Sequence, residues 1–148
     1  MENRVEKAVE LFNAGYNCSQ AVFCAFADKF DIDEETAKKL SVGFGGGFGR
    51  LREVCGAFSG CTMLAGLASK SDLNDAAQSK KDVYEQVRIL KDEFEKRNGG
   101  SIICRELLGL SGPSESHVPE ERTEHYKKTR PCEEIVKEAA KIMDEYLK

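Results

Sequence analysis

No stretch of this 148-residue chain approaches the ~20 consecutive apolar residues that a membrane-spanning helix needs. The opening segment, MENRVEKAVELF, has an acid at its second position and no apolar run, so the sequence predicts no secretory signal. Positive charge is not in surplus either. Lys and Arg number 22 against 26 Asp and Glu, a net charge of −4, which gives non-specific nucleic-acid binding no electrostatic support. There is no Cys-x-x-Cys pair anywhere. That argues against a zinc ribbon, which draws on tight local pairs, and removes the thioredoxin-type motif and the Cys-x-x-Cys-His haem attachment signature. No segment reads as a strand, and there is neither an internal repeat nor a low-complexity tail.

What is present is enough to fold. Hydrophobic residues make up 41% and charged residues 32%, and the length suits one domain, residues 1–148, with a core of its own. Without a leader the expected location is cytoplasmic, where structural disulfides are rare. The six cysteines then point to metal, redox chemistry or plain burial.

Apolar spacing predicts an all-α chain, an irregular multi-helix bundle. Val5, Ala8, Val9 and Phe12 stripe a helix over 3–14, stopped by Gly15. Ala21, Val22, Ala25 and Phe26 stripe a second over 18–29. Asp33 caps a third, Glu34 to Val42, with acids in its first turn. The fourth, about Cys55 to Ser69, has no polar face and is expected to be buried on all sides as the central helix. Its Gly56, Gly60 and Gly66 lower helix propensity but permit close approach. A long charged helix over 75–96 carries Val83, Val87, Leu90 and Phe94 inward. A short one runs Ser101 to Leu108, and the last runs Pro131 to Leu147. Between them, residues 110–130 hold two of the three prolines, both histidines and many charges, and read as a loop or irregular excursion.

Four cysteines fall where these helices begin. Cys18 follows Asn17, Cys55 opens the apolar helix, Cys104 lies three residues after Ser101 (read as an N-cap), and Cys132 follows Pro131, read as the first helical residue. Unpaired N–H groups and the positive end of the helix dipole favour a thiolate there. Four such placements point to helix starts converging on one sulfur-rich site. The spacing Cys-x5-Cys occurs twice, at 18/24 and 55/61. Six residues on is ~600° of helix, or ~120° off the first cysteine's face, so Cys24 and Cys61 read as packing residues. For the other four, three chemistries compete: an iron–sulfur cluster, a zinc site, and metal-free dithiol/disulfide couples.

Several stretches resemble the C_GCAxxG_C_C family, whose members are described as redox-active. They are Tyr16-Asn17-Cys18-Ser19-Gln20-Ala21-Val22, the glycine-rich run from Gly43 to Gly49, Cys55-Gly56-Ala57-Phe58-Ser59-Gly60, the run from Gly100 to Gly109 around Cys104, and Arg130-Pro131-Cys132. The family label is written Gly-Cys-Ala, whereas this chain has Cys-Gly-Ala, which keeps the cysteine in the first turn. The resemblance implies an all-helical domain whose four family cysteines, carried onto Cys18, Cys55, Cys104 and Cys132, form a redox centre. A similar domain occurs beside haem in split-Soret cytochrome c, and only its cysteine portion carries over, because this chain lacks the haem attachment motif.

Other features weigh less. The Gly43–Gly49 run, followed by Arg50 and Arg52, offers backbone N–H groups that could cradle a phosphate, but it is neither GxGxxG nor a P-loop and follows no strand, so it reads first as a tight turn that brings the backbone of Gly45, Gly46 and Gly47 against the cysteine site, with Phe44 and Phe48 anchoring it in the core. Gly56 and Arg105 join these glycines as supporting residues. Arg52 and Arg105 lie next to cysteines, where they either tune a thiolate or serve as ordinary surface charge; Glu53 flanks Cys55, and Tyr16 reads as a packed aromatic. His125, nearer Cys132 in sequence, is a better ligand candidate than His117, though both read as solvated. The expectation is therefore a redox-active protein whose four-cysteine centre serves electron transfer or sensing, with an iron–sulfur cluster ahead of a metal-free dithiol pair and of structural zinc. It would serve an unidentified redox partner protein, bind neither nucleic acid nor membrane, and form a homodimer by family analogy.

Overall fold

A computed structural model describes residues 3–148. The reading of the opening segment rests partly on Met1 and Glu2, which lie outside the described residues. The chain is all-α: among the described residues the sole β pairing is an isolated antiparallel bridge between Val54 and Ile103.

Helix starts follow local cap chemistry. Asn3 caps α1 (Arg4–Asn13) by accepting from the N–H of Glu6, and Asp33 caps α3 (Glu34–Ser41) by accepting from that of Thr36. Asn17 opens α2 (Cys18–Cys24) with a reciprocal box, its side chain taking the N–H of Gln20 while Gln20 takes the N–H of Asn17. A one-turn, kinked α4 (Gly45–Phe48) follows α3, then α5 (Gly56–Ala68) and the long α6 (Ala76–Arg97), capped by Asp75. The chain continues through α7 (Cys104–Leu107) and α8 (Glu124–Thr129) to α9 (Cys132–Tyr146).

The core lies where α2 and α5 cross, flanked by α1 and α9. A Cβ on Gly60 would stand 3.1 Å from Val22 and 3.2 Å from the Ser19 carbonyl, so the bare glycine lets these two backbones approach. Phe23, Phe26, Leu64, Phe94 and Met143 fill the space around the crossing. Burying each stabilises the fold by roughly 1.5–3 kcal/mol.

Some expectations need correction. The apolar α5 is not enclosed throughout: Gly66 and Leu67 reach the surface in its last turn, and α2, buried from Ser19 to Cys24, is equally central. Phe48 does not anchor the glycine-rich turn in the core. It is 44% exposed and stacks edge-to-face on Phe44, because its left-handed backbone (φ 68°) turns the ring outward. The excursion over 110–130 contains α8, started by Thr123. Ile103 rather than Ser101 is the N-cap residue of α7, and Pro131 sits at the N-cap of α9, one place before the first turn.

No helix among the described residues is long and apolar enough to cross a membrane.

Candidate functional site

Each of the four helix-start cysteines is held by a different piece of backbone. Cys18 is the first residue of α2, fixed by the Asn17 cap; Asn17 also donates from Nδ2 to the Val42 carbonyl at 2.8 Å, tying α2 to the glycine-rich turn. Cys55 is the N-cap residue of α5. Its N–H donates to the Ile102 carbonyl at 2.7 Å, and the Cys104 N–H donates to the Glu53 carbonyl at 2.6 Å. This two-bond clasp brings the start of α7 beside the start of α5 across 49 residues of sequence. Cys132 is the first residue of α9.

The four line one cavity of about 290 Å³, so the convergence expected from their positions at helix starts is present in the fold. The glycines make the approach possible. On Gly56 a Cβ would lie 2.6 Å from Cys18 Sγ, and on Gly47 it would lie 2.7 Å from Cys104 Cβ. On Gly45 it would overlap the Asn17 side chain. Gly46 (φ 67°) and Gly47 (φ 69°) adopt the left-handed region that glycine enters without steric cost, and the loop folds back so that the Glu53 N–H reaches the Gly47 carbonyl at 2.9 Å.

The thiols differ sharply. A hydrogen bond from the Cys55 thiol lowers Cys18 to about 6, with backbone N–H groups of Gly46, Ser19 and Ala57 helping against the opposing effect of burial. Cys55 moves the other way: donating to Cys18, together with burial, holds its proton well above the usual thiol range. The two share one proton between two sulfurs. Burial raises Cys104, partly offset by Arg52, whose Nη1 lies 3.7 Å from the sulfur. Burial, then the negative charge of Cys18, pushes Cys132 up to about 11. Tyr126, itself raised to about 12 by burial first, donates its hydroxyl to Cys132 at 3.9 Å.

Cys24 and Cys61 lie away from the cavity. Cys24 is buried against Ser41 at 4.0 Å, and Cys61 is enclosed in the core, where burial pushes its thiol up to about 12. Both are packing residues. Arg105 also lies outside: it spans from the Arg52 carbonyl (3.2 Å) to Glu53 Oε2 (3.1 Å) and braces the clasp rather than facing a thiol. Arg52, by contrast, is 7% exposed and lines the cavity, so its ordinary surface-charge reading is overturned. Of the histidines, His117 lines the cavity and His125 does not.

Several cavity residues escaped sequence reasoning as site residues, Arg122 among them. Tyr126 and Arg130 lie within six residues of Cys132, and that proximity was the available signal. Glu120 offers none, since it sits in a segment read as irregular. Its Oε1 accepts from Arg50 (3.0 Å), Arg52 (3.4 Å) and Arg130 (2.9 Å).

Among the described residues no group of three or more His, Cys, Asp or Glu side chains is gathered tightly enough to hold one metal ion. Four thiols lining one cavity are the donor set that a thiolate-held cluster requires. The four thiols would be the ligands, and the surrounding guanidiniums would offset the negative charge of a thiolate-ligated group.

No solved structure matches the chain. It is similar to an uncharacterized protein of Archaeoglobus fulgidus, 28% identical over 148 residues, with 95% of this chain and 91% of that protein covered. Residues 16–146, spanning all four cavity cysteines, match the family described as "Putative redox-active protein (C_GCAxxG_C_C)", and the chain belongs to that family.

Proposed function

We propose that the protein carries electrons through a centre formed by Cys18, Cys55, Cys104 and Cys132, and that these thiolates hold an iron–sulfur cluster. The observation that carries this reading is the meeting of four sulfurs from four separate helix starts at one cavity. Membership of a redox-active family supports it at the level of chemistry. Bound there, a cluster supplies one-electron transfer without proton bookkeeping. The chain's own residues do the rest. Asn17 and the Gly45–Gly47 turn fix the Cys18 side of the ring, the clasp at Val54 and Ile103 fixes Cys55 and Cys104, and Arg52 lies against Cys104. Tyr126 donates to Cys132, and such a hydrogen bond to a ligand sulfur raises the potential of a thiolate-held centre.

One observation favours a second reading, a metal-free dithiol. Cys18 is held as a thiolate near neutral pH beside a protonated Cys55. Cys18 would attack one sulfur of a partner disulfide, the other sulfur leaving as a thiolate. Cys55, giving up its proton, would then attack Cys18 and release the second partner thiolate. A Cys18–Cys55 disulfide forms as the partner gains two electrons and the one proton that Cys55 gives up.

Anaerobic purification with iron, acid-labile sulfide and visible absorption measurements separates the two. The cluster reading expects brown protein, with colour lost in Cys104→Ser and kept in Cys24→Ser. Colourless protein with stoichiometric zinc, or colour that survives Cys104→Ser but not Cys24→Ser, would overturn it. Colourless, metal-free protein with one reactive thiolate at Cys18 would leave the dithiol reading in its place.

A further inference from the structure

The cavity wall is strongly and asymmetrically charged. Arg50, Arg52, Arg122 and Arg130 line it against a single carboxylate, Glu120. In a chain of net charge −4, this concentration of positive charge does not follow from composition. Two of the four guanidiniums leave no buried nitrogen unpaired. Arg122 donates to the carbonyls of Phe12 and Tyr16 and stacks on the Phe12 ring at 3.9 Å. Arg50 donates to the carbonyls of Ser116 and Val118 and to Glu120.

Arg52 and Arg130 are different. The side chain of Arg52 is 8% exposed and that of Arg130 is 16% exposed. Yet Nε of Arg52 and Nη1 of Arg130 are buried with no hydrogen-bond partner. A buried donor left unpaired is costly, the more so on a charged group. Both arginines also share the one Oε1 of Glu120 with Arg50, so three positive charges rest on one negative charge.

We propose that the cavity binds a small oxyanion on Arg52 and Arg130, next to Cys104. The ligand class is a compact anion with at least two acceptor oxygens, either an inorganic oxyanion or a carboxylate. Guanidinium forks match such groups in geometry as well as charge. Because Arg52 also reaches Cys104 Sγ at 3.7 Å, the bound anion lies beside one of the redox thiols. Glu120 is the internal competitor: its carboxylate, 40% exposed, already takes part of the charge the ligand would use. The anion shares this cavity with whatever the thiols hold, and the two are read separately: the cluster by iron, sulfide and colour, the anion by heat of binding.

The test is calorimetric titration of the full-length, anaerobically purified chain with sodium sulfate, sodium phosphate and sodium acetate, each against sodium chloride of matched ionic strength. The expected result is saturable binding of at least one oxyanion and none of chloride. Arg52→Lys and Arg130→Lys, which keep the charge but lose the fork, should each weaken it tenfold or more. Glu120→Gln should tighten it, and Arg88→Gln, on the exposed face of α6 and away from the cavity, should leave it unchanged. Melting temperatures of all four variants verify folding. Saturation by none of the three oxyanions, wild-type affinity in both lysine variants, or weaker binding in Glu120→Gln would overturn the proposal.

Discussion

Gly56→Ala and Gly66→Ala make the same chemical change in the same helix and should have opposite effects. Both glycines lie inside α5, where alanine is favoured over glycine by about 1 kcal/mol. At Gly66, which is exposed, a new Cβ meets nothing within 4 Å, so the helix preference acts alone. The variant should gain about 0.5–1 kcal/mol. At Gly56 the Cβ would meet Cys18 Sγ at 2.6 Å, the Phe44 carbonyl oxygen at 2.9 Å and Gly45 Cα at 3.2 Å. Comfortable heavy-atom contact begins at about 3.5 Å. Two of these neighbours are backbone, and only the Cys18 sulfur can give way, by turning about its side-chain bond. Overpacking of this kind costs about 1–3 kcal/mol, which cancels or exceeds the helix gain and leaves a net loss of up to about 2 kcal/mol. The two variants should thus differ by roughly 1–3 kcal/mol in urea unfolding at unchanged m value, about 4–8 °C in Tm at the middle of that range. Gly56→Ala should also slow iodoacetamide attack on Cys18 at pH 7, because moving the sulfur weakens its bond from Cys55. If both variants are stabilised alike, Gly56 is not what allows α5 to lie against Cys18, and the account of how the thiols meet is wrong.

In the reduced, metal-free chain the Cys18–Cys55 pair makes stability depend on pH. Cys18 is depressed from 9.0 to about 6, so its stabilising contribution is fully present above the unfolded value near 9 and is lost as pH falls through about 6. Urea unfolding between pH 6 and 9 should show stability rising by up to about 1.4 kcal/mol per pH unit relative to Cys55→Ala; parallel curves would refute the hydrogen-bonded pair. Asn17→Ala removes the cap of α2 and the bond to Val42, and should cost about 1–2 kcal/mol in the same assay, a loss below about 0.5 kcal/mol counting against the capping account. Cys61→Ser places a hydroxyl in the core 4.0 Å from its nearest acceptor, the Ala139 carbonyl, and should cost about 1–3 kcal/mol without altering any cluster colour, whereas lost colour would mean that Cys61 is not merely packed.

The parts of this molecule that were legible in its sequence are those with local causes. Asn17, Asp33 and Asp75 mark helix starts because a cap bonds three residues ahead, and Cys18 could be placed at a helix start for the same reason, whereas the helices of Cys55, Cys104 and Cys132 have no side-chain cap. The cavity wall has no local cause. Glu120 meets Arg50 and Arg52 across 70 and 68 residues, and no periodicity encodes such a contact. The turn that carries those arginines contradicts local propensity outright: Phe48, Arg50 and Arg52 all hold positive φ, at 68°, 70° and 61°. A non-glycine residue forced into that region costs on the order of 1–3 kcal/mol and persists only where the surroundings over-determine it. Here the surroundings are identifiable. The Arg52 N–H bonds to the Gly46 carbonyl, the Arg52 carbonyl receives the Arg105 N–H, and Glu53 is bonded on both sides to Gly47 and Cys104. Arg52 is therefore held in its left-handed conformation by the same clasp that joins Cys55 to Cys104. An ordinary β-region Arg52 would direct its guanidinium along a different vector and away from the cavity. The strain and the converging thiols have one structural origin, which is why a propensity reading placed Phe48 in the core and left Arg52 between thiolate and surface at the very segment that walls the site.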